Sequence, residues 1–166
     1  EDRDLIEIIS EPEGKNTAPA VGMVLAQYAQ QSDEVLGIFP ADHHILNEHV
    51  FHDSLKKASM AADRGHIVTI GVQPNRPETG YGYIEKTKWE VGEIGGVYQV
   101  KSFYEKPDIE LAQTYIQTGR FMWNAGIYVG KIGVLVEEFR KHLPEIYAVA
   151  SSGYDIYKQS YAKLPN

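Results

Sequence analysis

With 166 residues, 43% of them hydrophobic and 23% charged, the chain has the size and composition of one soluble domain with a real core. Lys plus Arg number 16 against 23 Asp plus Glu, a net charge of −7, which argues against a broad nucleic-acid surface or an anionic-membrane surface. No cysteine is present, so disulfides, thiolate nucleophiles and Cys–zinc sites are excluded, and the usage fits a reducing, cytoplasmic setting.

Residues 5–9 form a short β-prone run, followed by a polar loop with two prolines and a glycine up to Pro19. Thr17 is placed to cap a helix over residues 18–31, where Val21, Val24, Leu25, Tyr28 and Ala29 recur at helical spacing. Residues 35–39 are a continuous apolar run ended by Pro40, as a strand covered on both faces would be. A second helix is predicted over 47–64 with Gly65 as its stop, then a third strand over 67–72. The order β-α-β-α-β implies parallel strands with right-handed crossovers, hence a doubly wound α/β fold with helices on both faces.

Beyond residue 72 the pattern changes. A loop rich in Pro and Gly leads to strands at 82–86 and 97–105, separated by a turn at 92–96, which reads as an antiparallel pair added to a mostly parallel sheet. Asp108 and Gly119 bracket a further helix, 123–129 is a strand, 132–142 an amphipathic helix, and 144–163 holds one or two helical pieces. No linker or internal repeat interrupts the chain, so a single domain is expected.

Asp42 stands where the 35–39 strand should end, the place where ligands gather in open α/β sheets; it would hold a hard metal ion or a ligand hydroxyl, or else cap the next helix. P-loop, Gly-x-Gly-x-x-Gly and Gly-x-Ser-x-Gly motifs are absent. His43, His44, His49 and His52 lack the spacing of a zinc helix and read as a polar loop with an exposed helix start. In Pro77-Glu-Thr-Gly-Tyr-Gly-Tyr83, bare backbone beside flat rings suits a sugar or base, or a hairpin entry. Glu105 could accept from sugar hydroxyls and Lys106 could hold a phosphate; Asn124 can donate and accept, as polyol recognition requires. Each of these also has a plain structural reading as a solvated strand end or a turn.

Together and in this order, Glu11-Pro12 with Lys15-Asn-Thr-Ala-Pro-Ala20, Pro40-Ala-Asp-His43, Pro77-Glu-Thr-Gly-Tyr-Gly-Tyr-Ile84, Glu105-Lys-Pro-Asp108 and Trp123-Asn-Ala-Gly126 resemble the mannose-1-phosphate guanylyltransferases, a branch of the sugar-phosphate nucleotidyltransferases. The resemblance implies a Rossmann-like nucleotidyltransferase domain, Mg²⁺ as cofactor, and GTP and mannose-1-phosphate as small-molecule partners, with no nucleic acid and no membrane; a homo-oligomer is among the assemblies it allows. It implies Asp42 as the catalytic metal carboxylate, and Glu11, Asn16, Thr17 and Ala18 around the nucleotide. Gly82, Tyr83, Glu105 and Asn124 would meet the hexose, with Lys106 near its phosphate. The family's glycine-rich phosphate loop and second metal aspartate have no counterpart in these residues. The chain, which lacks an initiator Met, is therefore expected to be an internal piece, incomplete at both ends and inactive alone. A non-catalytic sugar-nucleotide-binding or regulatory paralogue on the same fold is the other reading.

Overall fold

A computed structural model describes residues 6–152 and 160–164. They group into two compact units: residues 35–130 form one, and the two chain ends, up to Glu34 and from Lys131, form the other.

The contiguous unit contains β1 (Val35–Ile38), α1 (Glu48–Asp63), β2 (Val68–Val72), β3 (Tyr83–Glu90), β4 (Tyr98–Tyr104), α2 (Ile109–Thr118) and β5, which runs Phe121–Lys131. Local chemistry sets the helix ends. Asn47 accepts the Val50 N–H at 3.1 Å, and Gly65 follows α1 at φ 86°. Asp108 accepts the Leu111 N–H at 2.8 Å, and Gly119 closes α2 at φ 66°. An N-cap acceptor is worth about 1 kcal/mol. Because Asn47 caps α1, Asp42 does not; it sits in the turn after β1.

The sheet is organised by β5, which pairs with β1, β2 and β3, while β4 pairs β3 at the far side. Trp123 lies between Val72 of β2 and Tyr83 of β3. The registered pairs β2–β5, β3–β5 and β3–β4 are all antiparallel. The antiparallel β3–β4 addition agrees with the sequence. The parallel core expected from the β-α-β-α-β order does not form between β1 and β2, because the much later β5 is the partner of both.

The strand expected to be covered on both faces is only half-buried. β1 ends the path of the sheet, its Gly37 is exposed, and the Phe39 ring just past it is 49% exposed, resting edge-on against Phe51 at 6.4 Å. Two aliphatic and aromatic clusters fill the unit. Ala58 and Ala62 of α1 pack with Val129, Val35, Val68 and Ile70, and Ala112 and Tyr115 of α2 pack with Tyr83, Phe121 and Trp123.

The unit made of chain ends is helical: α3 (Thr17–Tyr28), α4 (Ile132–His142) and α5 (Pro144–Ala150). Ile146, Tyr161 and Leu164 form its core, with Ala18, Met23 and Phe139 against them. The Ile132–His142 boundaries agree with the sequence reading; Arg140 and Lys141 put positive charge in the last turn of α4, where the helix dipole favours it. Thr17 is not a cap but the first helical residue, after an extended Asn16. Residues 6–10 make no strand. Ile6 and Ile8 are 74% and 85% exposed, and an isolated extended segment has no ladder to hold it. The segment is instead tied to α3 through Glu7, which accepts from Gln27 and Tyr28. Residue 5 and the stretch 153–159 of the predicted C-terminal helical pieces lie outside the described residues.

Candidate functional site

In the contiguous unit, Asn124 is the hub of the candidate site. Between Asn124 and Tyr128, β5 carries three residues where β2 carries only Ile70, so the strand bulges, with Gly126 at φ 68°. The bulge turns the Gly126 N–H onto Asn124 Oδ1 at 3.2 Å, and Thr69 Oγ1 donates to the same oxygen at 2.8 Å. Since a backbone N–H can only donate, this fixes the amide orientation: oxygen toward Gly126, nitrogen toward Tyr128 Oη, to which Nδ2 donates at 3.1 Å. One Nδ2 hydrogen has no partner among the described residues. Bulges commonly re-aim a side chain beside an active site.

Gly82 is joined to this hub by its carbonyl, which accepts the Asn124 N–H at 2.8 Å. A Cβ on Gly82 would lie 2.6 Å from Phe103 Cζ and 3.0 Å from Glu105 Oε2. Glu105 therefore covers the bare α-carbon of Gly82, and a side chain there would make Phe103 and Glu105 move away. Next in sequence, Lys106 has φ 44° immediately before Pro107, a conformation that costs about 1–3 kcal/mol for a non-glycine residue and tends to occur where a side chain must be aimed. Its ammonium stands 3.7 Å from the Glu105 carboxylate. Gly82, Glu105, Lys106 and Asn124 are thus brought together.

Tyr83 is not available for contact. Its ring is fully buried against Tyr115, at 5.4 Å, and its hydroxyl accepts the Glu78 N–H at 3.0 Å. The pattern of glycines and tyrosines does not tell the two rings apart; α2, far along the chain, decides which tyrosine is buried. Tyr81 is the exposed one, at 44%, meeting Trp123 edge-on at 5.4 Å.

Three residues that sequence reasoning missed hold this arrangement. Thr69 carries no local signal, since only the β2–β5 register sets it beside Asn124. Glu78 accepts the Gly80 N–H at 3.1 Å and pairs with Arg76 at 3.2 Å. That backbone N–H, opposed by partial loss of solvent and helped by Arg76, holds the Glu78 carboxyl below the usual glutamate value. Arg76 in turn lies 5.2 Å over the Trp123 ring. Trp123 Nε1 is buried and finds no acceptor among the described residues.

Asp42 has a different setting. Two residues before it, the Pro40 ring lies 3.5 Å from where a Gly126 Cβ would be, so the end of β1 abuts the bulge. The carboxylate is exposed and has no hydrogen bond or ion pair among the described residues. A single such carboxylate fits Mg²⁺, which is held by one or two acidic side chains together with waters and phosphate oxygens. His43, His44, His49 and His52 are exposed, and among the described residues no three His, Asp or Glu side chains converge.

In the other unit, Glu11 accepts from the Tyr161 hydroxyl. Asn16 precedes α3 without a side-chain cap bond, which leaves the Thr17 and Ala18 amides at an open helix start. Lys15, its side chain only 7% exposed, donates to Leu164 O at 2.9 Å and pairs with Glu13 at 3.1 Å.

Residues 4–165 match the Nucleotidyl transferase family, and the chain belongs to it. Among curated relatives it is 42% identical over 140 residues to a mannose-1-phosphate guanylyltransferase of Klebsiella pneumoniae, covering 84% of this chain and 30% of that protein. It is 44% identical over 158 residues to mannose-1-phosphate guanylyltransferase 2 of Escherichia coli O157:H7, covering 89% of this chain and 33% of that protein. A crystal structure from Thermus thermophilus, described as a mannose-1-phosphate geranyltransferase, superposes with a TM-score of 0.85 at 34% identity, over 96% of this chain and 47% of that one. The chain thus spans about a third of the curated relatives it matches. Among the described residues no helix is long and apolar enough to cross a membrane.

Proposed function

We propose that the protein carrying this chain is a mannose-1-phosphate guanylyltransferase, making GDP-mannose and pyrophosphate from GTP and mannose-1-phosphate. The observation that carries the reading is Asn124, locked by Thr69, Gly126 and Tyr128 with one N–H left over, beside the Gly82–Glu105 contact. A neutral polyol needs a fixed donor next to a fixed acceptor. The sugar's own phosphate oxygen is the nucleophile: it bonds the α-phosphorus of GTP while the α–β bridging P–O bond breaks and pyrophosphate leaves. No protein nucleophile is required, so the chain's part is positioning and charge.

Glu105 accepts from hexose hydroxyls and Asn124 donates to one. Gly82 leaves room for the ring, and Lys106 meets the sugar phosphate as a point charge. Tyr83 holds the loop rather than touching the sugar. Asp42 holds Mg²⁺, which when bound neutralises charge on the reacting phosphates. Glu11, Asn16, Thr17 and Ala18 are assigned to the nucleotide, supported by the family match and the open start of α3. The whole domain is taken as one Rossmann-like nucleotidyltransferase domain with helices on both faces, working in the cytoplasm; the family match and the absence of cysteine support this.

The test is thermal stabilisation of the full-length protein by GTP, ATP, UTP and dTTP with Mg²⁺, followed by an assay of GDP-mannose formation. Stabilisation by GTP above the others, with product formed, is expected. No preference for GTP overturns the guanylyl assignment, and binding without turnover identifies a non-catalytic paralogue.

A further inference from the structure

On an acidic chain, one corner of the contiguous unit gathers positive charge. Lys86 and Lys88 alternate along β3, and the Lys86 N–H donates to Arg120 O at 3.1 Å, which fixes the two backbones together just before β5. These three cations, with Thr87 and Tyr98, line a hollow of about 310 Å³. Lys86 Nζ lies 4.4 Å over the Tyr98 ring and Lys88 Nζ 5.5 Å from the Trp89 ring. Neither lysine has a carboxylate within ion-pair distance among the described residues. The acidic groups nearby are otherwise engaged. Glu85, 3% exposed, lies 3.0 Å from Lys101 and 3.7 Å from Arg120, and Glu90 accepts the Gly96 N–H at 2.9 Å.

Lys86 and Tyr98 also line a second, neighbouring cavity of about 640 Å³, together with Trp89, Val97, Val100 and Met122. Trp89 is 66% exposed. A charged end and an apolar, aromatic end therefore adjoin. Lys86 is four residues past Gly82, roughly 13 Å along an extended strand at about 3.3 Å per residue, so the corner is separate from the sugar-binding residues.

We propose that this corner binds a small phosphate monoester with a flat or apolar body. The phosphate sits among Lys86, Lys88 and Arg120, and the body lies in the adjoining cavity against Trp89. Two lysines without ion pairs among the described residues, beside an arginine shared with Glu85, suit a multiply charged anion better than a carboxylate. The size of the hollow and the net charge of −7 disfavour a long nucleic-acid chain.

The test is calorimetric titration of the full-length protein, without nucleotide or Mg²⁺, by inorganic phosphate and by phenyl phosphate at near-physiological salt. The wild type is expected to bind phenyl phosphate about tenfold more tightly than phosphate, from ring stacking. The double variant Lys86→Gln/Lys88→Gln is expected to lose at least tenfold for both ligands. Trp89→Ala is expected to lose only the extra affinity of phenyl phosphate. Asp42→Asn, which tests the transferase reading, is expected to leave both unchanged, so the two proposals fail separately. Equal binding by wild type and the double lysine variant overturns the proposal. So does an equal loss in a control variant, Lys56→Gln/Lys141→Gln, since that shows only diffuse charge. A melting temperature near that of the wild type for each variant secures the comparison.

Discussion

Asn124 spends nearly all of its amide inside the protein: its oxygen is shared by Thr69 and Gly126, and its nitrogen is tied to Tyr128. Asp42 has no hydrogen bond or ion pair among the described residues and faces solvent in the turn beyond β1. Under the proposed function the first belongs to the sugar and the second to the metal and phosphates. The contrast follows the chemistry of the ligands. A hydroxyl differs from water only by direction, so the groups that read it must be held in place before it arrives. A cation–carboxylate contact is strong and weakly directional, and a solvated carboxylate retains the free lone pairs a metal needs.

The largest effect is expected at the bare acid. Asp42→Asn should lower GDP-mannose formation by the full-length protein at least about a thousandfold, the scale of lost metal charge stabilisation, with the melting temperature nearly unchanged. A sizeable fall in melting temperature would show that Asp42 is structural and dissolve the contrast. Gly82→Ala comes next. Its new Cβ meets the outer ends of the exposed Phe103 and Glu105 side chains, which can shift, so a stability loss below about 1 kcal/mol is expected in denaturant titration, while displacement of Glu105 should raise the sugar-phosphate KM about tenfold.

Thr69→Val removes one of the two donors to Asn124 Oδ1. At about 1 kcal/mol for a hydrogen bond, KM for mannose-1-phosphate should rise roughly fivefold while kcat changes little. An unchanged KM would mean that Asn124 does not read the sugar. The smallest effect is on pH dependence. Glu78 has a folded-state pKa below its unfolded value, so its contribution is present above the ordinary glutamate range and fades as pH falls through the folded value. Melting curves of wild type and Glu78→Gln should therefore differ slightly near neutrality and converge in acid.

What the sequence revealed follows the range of the forces concerned. Asp108 and Gly119 are legible because a cap is settled within three or four residues. The β3–β4 pairing is legible because the two strands are neighbours in the chain. The sense of the main sheet is not, because β5 lies 49 residues past the end of β2 and only then determines the partners of β1 and β2. The run at 5–9 has strand composition, but composition cannot supply a partner. In the site, the glycines and Asn124 stand out by residue type. Tyr83 and Tyr81 look alike in sequence, and the packing of Tyr115 on α2 separates them. Thr69 is 55 residues from the amide it fixes, beyond any local pattern.

The buried ammonium of Lys15 has one more consequence, for the order in which the protein can be made. Its carbonyl partner at Leu164 is 149 residues away, and Glu11 likewise waits for Tyr161, 150 residues on. A nascent chain leaving the ribosome can close the contiguous 35–130 unit early, since every strand and helix of it is already present. For residues 6–34 the partners they have in this chain are made last: α4, α5 and the segment at 160–164. In stalled nascent chains that end before α4, residues 6–34 should therefore be cut more readily than in the finished protein, while the 35–130 region is already resistant.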